Sequence, residues 1–144
     1  MEKRLGFPVN VTIDEEGFFL VIFPDFEGTA TDGKTKSEAF FEAIDCLGTA
    51  LAFRVKNNLP IPKPSPARGR PVIFPAALMA AKTALYMAWK ETGLSCLGLA
   101  KKLGIELKSL QRMLDPRHRT HVGSIEGVLA VLGRRFVIEM TEAA

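Results

Sequence analysis

The sequence predicts an α+β fold: a small β-β-β-α domain, then a mainly helical domain that closes on a C-terminal strand. Three observations predict it. Apolar residues alternate singly at the start of the chain and then recur every three or four residues. A run of alternating prolines (Pro60, Pro62, Pro64, Pro66) separates two such patterns. The charge divides there as well: residues 1–62 carry six basic and ten acidic side chains, a net −4, and residues 63–144 carry thirteen and six, a net +7.

The elements follow in order. Val9, Val11 and Ile13 share one face of a half-buried strand, with Asn10 and Thr12 on the other. Asp14-Glu15-Glu16-Gly17 supplies a turn, and Gly17 is free to take positive φ. Phe18 to Phe23 is a second strand, stopped by Pro24, which has no N–H to give a ladder. A short third strand is expected over Phe26 to Thr31, closed by the turn dipeptide Asp32-Gly33. Thr35 and Glu38 have the spacing of a capping box. Behind them Phe40, Ile44, Leu47, Leu51 and Val55 form the expected apolar stripe of a helix. Asn57-Asn58 ends that helix ahead of Pro60.

Residues 63–75 are expected to act as a semi-rigid proline-rich linker, with Val72 to Phe74 able to form a short strand. The domains are then 1–62 and 76–144. In the second, Pro75 to Thr92 has proline near its start and Gly93 past its end, as helix termini prefer. Leu78, Leu85 and Trp89 are its expected core face. Three shorter amphipathic helices follow at Ser95 to Leu103, Leu107 to Leu114 and Ser124 to Leu132. Arg135 to Met140 reads as the closing strand.

At 144 residues the chain suits one ordinary domain or two small ones. No apolar stretch approaches the roughly 20 residues of a membrane helix. The opening Met1 to Phe7 lacks the apolar core of a signal peptide, so a cytoplasmic location is expected. Cys46 and Cys96 lie far apart, each inside a helical pattern, and read as reduced thiols. A zinc site wants four closely spaced ligands, and the two histidines, His118 and His121, sit in an arginine-rich stretch that repels a cation. No metal and no cofactor are expected.

The most informative segment runs from Cys96 to Leu114. Two short helices joined by a tight turn need a small residue where they cross, and Ala100 is there. Gly104 follows four residues later, able to take the positive φ of the turn. Leu99, Leu103, Ile105, Leu110 and Met113 supply the apolar anchors. This is the pattern of a helix-turn-helix, whose second helix enters the DNA major groove. Its expected exposed face carries Lys108, Ser109, Gln111 and Arg112, matched to guanine and adenine edges. Lys101, Lys102, Arg117 and Arg119 are candidates for phosphate contacts. An ordinary helical bundle with solvated charges is the alternative.

The acids of the first half raise the possibility of magnesium-assisted phosphodiester cleavage. Nothing in the spacing of Asp14, Glu15, Glu16, Asp25, Glu27 and Asp32 requires them to converge, and no histidine lies in that half as a base. A solvated acidic surface is the simpler reading, and no enzyme activity is expected.

The whole chain resembles the HicB antitoxins. The carrying residues are Asp14-Glu15-Glu16-Gly17-Phe18, Phe23-Pro24-Asp25-Phe26-Glu27-Gly28, Asp32-Gly33-Lys34-Thr35 and Ser37-Glu38-Ala39. The proline-rich exit Leu59 to Ser65, Ala80-Ala81-Lys82, the helix-turn-helix and Leu114-Asp115-Pro116-Arg117-His118 complete the set, covering about Phe7 to Met140. Phe7 departs from the tyrosine frequent in that family. The resemblance implies a first domain with a degraded ribonuclease H fold that occludes a HicA-type toxin, a small basic mRNA-cleaving ribonuclease. Asp14, Glu15, Asp25 and Glu27 are the candidate toxin-binding residues. It implies a second domain that represses its own operon on double-stranded operator DNA, and assembly as a homodimer or higher homo-oligomer. A stand-alone transcription regulator with a ligand- or protein-sensing first domain is the runner-up. A nuclease retaining ribonuclease H activity ranks last.

Overall fold

A computed structural model describes residues 3–142. It shows a mixed α+β chain, with a small sheet ahead of a set of helices. Two compact units result. One takes in the residues up to Phe53 together with Ile61–Ala76, and the other takes in Arg54–Pro60 and Ala77–Met140.

In the first unit, strands β1 (Phe7–Pro8), β2 (Asn10–Ile13), β3 (Phe19–Ile22) and β4 (Ala30–Gly33) precede helix α1 (Lys36–Lys56) and strand β5 (Val72–Ile73). β2, β3 and β4 form an antiparallel meander in which Val11 faces Val21 and Val21 faces Thr31. The β2–β3 turn is held by Asp14, whose Oδ1 accepts from the backbone N–H groups of Glu16 and Phe18, both at 2.9 Å. Residues 23–29 do not form the expected third strand. Their backbone groups bond among themselves, Phe26 N to Phe23 O and Thr29 N to Phe26 O. The strand comes later, so Asp32-Gly33 lies within β4 rather than closing it. The physical reason is burial: Phe23 and Phe26 point into the core, where Phe26 meets the Phe7 ring edge-on at 4.8 Å between centroids. A tight turn lets both rings point inward, which an alternating strand would not.

Gly33 permits the closest approach in this unit. A Cβ built there would stand 2.4 Å from the Ala39 nitrogen, so the sheet and the start of α1 meet backbone to backbone. Thr35 Oγ1 accepts from Glu38 N at 3.1 Å, capping the helix. α1 buries Ala39, Phe40, Ala43, Leu47 and Leu51. Ile44 and Val55, expected in that stripe, are not part of the buried set: Ile44 is 39% exposed. Alanines 39 and 43 set the face instead, because small side chains let the helix lie close against the sheet.

The proline segment, expected as a spacer, is bonded into this unit. Ser65 donates from both N and Oγ to Asp25 Oδ2, at 3.0 and 3.1 Å. Val9 N donates to Pro71 O, and β5 pairs with β1. Arg70 ties the segment together through Ala67 O and Pro66 O and reaches Asn10 Oδ1.

The second unit contains α2 (Ala77–Thr92), α3 (Cys96–Leu103), α4 (Leu107–Leu114) and α5 (Val122–Val131). Tyr86 OH donates to Leu59 O at 2.7 Å, fixing residues 54–60 to α2. Leu85, Leu99, Leu110 and Ile125 are fully buried and make the core. Of the expected α2 face only Leu85 is fully buried; Leu78 and Trp89 are half-buried. The closing strand is absent. Residues 134–142 carry no ladder, and Val137, Ile138 and Met140 are 72, 90 and 99% exposed. Apolar-rich composition alone does not make a strand; a second strand must take its hydrogen bonds. Among the described residues none pairs there.

Candidate functional site

The sequence places its DNA-facing candidates on α3, α4 and the loop that follows. Ser95 caps α3, its side chain accepting from Gly98 N at 3.0 Å. α3 stops at Gly104, whose φ of 68° lets its own N–H and that of Ile105 fold back onto the carbonyls of Lys101 and Ala100. Ala100 is buried beside this turn, as the expected small crossing residue. α4 then begins after Glu106.

α4 is amphipathic. Leu110 and Leu114 are buried, while Lys108, Gln111 and Arg112 are exposed on the opposite side. Positions three and four apart share a helix face, so these three side chains form one outward row. Ser109 is half-buried at the edge of that row. Arg117 and Arg119 are exposed in the loop behind α4, with Arg117 within 3.9 Å of the Asp115 carboxylate. Lys101 and Lys102 are exposed at the end of α3. Lys102 lines a hollow with Ala88, Glu91, Thr92, Val131, Leu132 and Arg134. That groups it with the ends of α2 and α5 and with the Arg134–Glu91 ion pair, not with the α4 row.

One residue that sequence reasoning left without a role organises this region. Lys82 has no solvent exposure. Its Nζ donates to Arg112 O at 3.0 Å, Met113 O at 3.1 Å and Thr120 Oγ1 at 2.9 Å. Burial pushes its ammonium below the ordinary lysine range, and the Asp115 carboxylate acts in the other direction. A signal was present: Lys82 falls four residues after Leu78 and three before Leu85, on the apolar stripe itself. A lysine there is either a break in the stripe or a buried cation with partners.

The acidic candidates of the first unit do not converge. Asp14 holds the β2–β3 turn, and Asp25 holds Ser65. Glu15 and Glu27 are exposed. A further exposed feature is Phe41, 73% exposed on α1 and flanked by the exposed Glu38, Glu42, Ile44 and Asp45. The sequence stripe through Phe40 passed over it. Both thiols are raised by burial, Cys46 also by the charge of Asp45, which disfavours thiolate chemistry at each. Among the described residues no group of three or more histidine, cysteine, aspartate or glutamate side chains could hold a metal ion. No helix among them is long and apolar enough to cross a membrane.

Comparison with known proteins is consistent along nearly the whole chain. Residues 6–84 match the model of a family described as the HicB-like antitoxin of bacterial toxin-antitoxin systems. Antitoxin HicB 1 of Photorhabdus laumondii subsp. laumondii is 30% identical over 138 residues, covering 96% of this chain and 88% of that protein. Antitoxin HicB 2 of the same organism is 34% identical over 134 residues, covering 93 and 95%. Antitoxin HicB of Escherichia coli K12 is 29% identical over 137 residues, covering 94 and 99%. With a family model that spans more than half of its length and relatives that span almost all of it, the chain belongs to the HicB-like antitoxins of bacterial toxin-antitoxin systems.

Proposed function

We propose that this antitoxin neutralises a HicA-type mRNA-cleaving toxin through its first unit, and represses its own operon through the α3–α4 pair acting as a helix-turn-helix on operator DNA. The observation that carries the DNA half is the α4 row: Lys108, Gln111 and Arg112 outward, Leu110 and Leu114 inward. Arg and Lys match the acceptors of guanine in the major groove, and Gln matches adenine. Arg117 and Arg119 supply phosphate contacts beside it, where charge gives affinity without sequence. Lys101 and Lys102 have the same role at the end of α3, with Lys102 the less direct because of its place beside Glu91 and Arg134.

The toxin half rests on family membership and on the net −4 of residues 1–62, which suits a basic partner. Glu15 and Glu27 are available to it as exposed carboxylates. A cytoplasmic location follows from this role. The protein works as a homodimer or higher oligomer, because one eight-residue helix reads few base pairs and paired half-sites restore specificity. The exposed apolar residues Val137, Ile138 and Met140 offer a surface for such pairing.

The test is binding of Arg112→Ala and Lys108→Ala to operator DNA at fixed salt. Each lost base contact is expected to weaken binding by about 1–3 kcal/mol. If both variants are folded and bind as tightly as the parent, α4 is not the reader.

A further inference from the structure

We infer that Lys82 is a positioning residue for DNA reading: from α2 it holds the far end of α4 and the loop behind it in register with each other. This rests on the DNA-binding reading above.

The geometry begins with the end of a short helix. The last four carbonyls of any α-helix lack partners within it. In α4 the Gln111 carbonyl is taken by Asp115 N at 2.9 Å. The next two, Arg112 O and Met113 O, are both taken by the Lys82 ammonium. A cation at this place also meets the negative end of the helix dipole. The third proton of the ammonium goes to Thr120 Oγ1, which itself lies 3.4 Å from Arg112 O and 3.2 Å from His118 Nδ1. One nitrogen therefore joins residue 112 to residue 120, the two ends of the stretch that presents Arg112, Arg117 and Arg119.

Packing alone does not call for this arrangement. The stripe position would take leucine or methionine, and burying an ammonium is costly unless each proton finds an acceptor. Here all three do. An eight-residue helix has little stability of its own and takes its orientation from its contacts. Leu110 and Leu114 set which face turns inward, and Lys82 fixes where the C-terminal turn and the loop begin.

The test uses the full-length protein and a labelled duplex spanning the region upstream of its own operon. Lys82→Met keeps the length of the side chain and removes all three donors. It is expected to weaken specific binding roughly tenfold or more, in line with the loss of hydrogen bonds from a charged group. Binding to unrelated duplex is expected to change little. The decisive readout is a double-mutant cycle. After Lys82→Met, Arg112→Ala at the clamped end should weaken binding much less than it does in the parent. Lys108→Ala, in the first turn of α4, should keep most of its effect. A role confined to stability would leave both effects unchanged. Thr120→Val removes one of the three acceptors and is expected to weaken binding a few-fold. It carries the test if Lys82→Met does not fold. Folded Lys82→Met or Thr120→Val with parental affinity overturns the inference alone, as do equal, additive losses at Arg112 and Lys108. A parent protein that fails to bind the duplex overturns the DNA-binding reading and the inference with it.

Discussion

Each unit has a polar side chain that ties distant parts of its own chain together, Asp25 in the first and Lys82 in the second, and these two ties differ in kind. In the first unit Asp25 reaches Ser65, forty residues on, from a half-buried position. In the second, Lys82 reaches Arg112, Met113 and Thr120 from a site with no solvent exposure. Water can replace part of what Asp25 does, and it cannot reach Lys82. The split of charge between the halves of the sequence is therefore not all surface. Asp25 of the acidic half and Lys82 of the basic half are both spent on architecture, and neither is freely available to a partner.

This comparison breaks first if the two units do not melt independently. Trp89 and Tyr86, the sole tryptophan and tyrosine, both lie in the second unit, so their fluorescence follows that unit alone. Leu110 is fully buried under α4. Leu110→Ala is expected to lower the stability of the second unit by about 2–5 kcal/mol, the usual cost of a leucine cavity. The fluorescence transition should move to lower denaturant, while toxin neutralisation in folded protein persists. Loss of neutralisation in step with the shifted fluorescence transition would show that the units are not separable.

The reciprocal change is Gly33→Ala. The added methyl would meet the backbone of Ala39, which has no flexible end to move aside. A cost of about 1–3 kcal/mol to the first unit is expected, as for other overpacked sites. It should appear in the far-ultraviolet circular dichroism transition and leave the Trp89 fluorescence transition in place. A shared shift would again break the independence of the two units.

Much of the second unit was legible because its elements are local. α3 and α4 follow from Ser95, Ala100, Gly104 and the leucine spacing, all within twenty residues of one another. What was not legible depends on residues far apart. Nothing near Lys82 announces that Thr120 will meet it, and nothing near Asp25 announces Ser65. In the first unit the third strand was expected too early because Phe26 to Thr31 has strand-like composition. The aromatic contact of Phe26 with Phe7 decides otherwise, and it spans nineteen residues. The apolar-rich composition of Arg135 to Met140 points to a strand in the same way, because composition does not say whether a neighbour exists to pair with it.

The smallest expected effect concerns Asp25, and it separates two accounts of an acid expected to touch the toxin. Asp25→Ala leaves the N–H and hydroxyl of Ser65 without their acceptor, at a site water reaches in part. A loss of about 1 kcal/mol in first-unit stability is expected, typical of one hydrogen-bonded anchor. Asp25→Asn keeps an amide oxygen in place of Oδ2 and gives up only the charge, so a loss of roughly half that is expected. Neutralisation of the toxin should follow the anchor and not the charge. Asp25→Asn should inhibit nearly as well as the parent, and Asp25→Ala should inhibit less well because Ser65 and the proline segment are released. If instead Asn and Ala lose inhibition equally while the first unit stays folded, the carboxylate meets the toxin itself. Asp25 would then serve the partner more than the fold, and the first unit would lack the counterpart to Lys82 proposed for it.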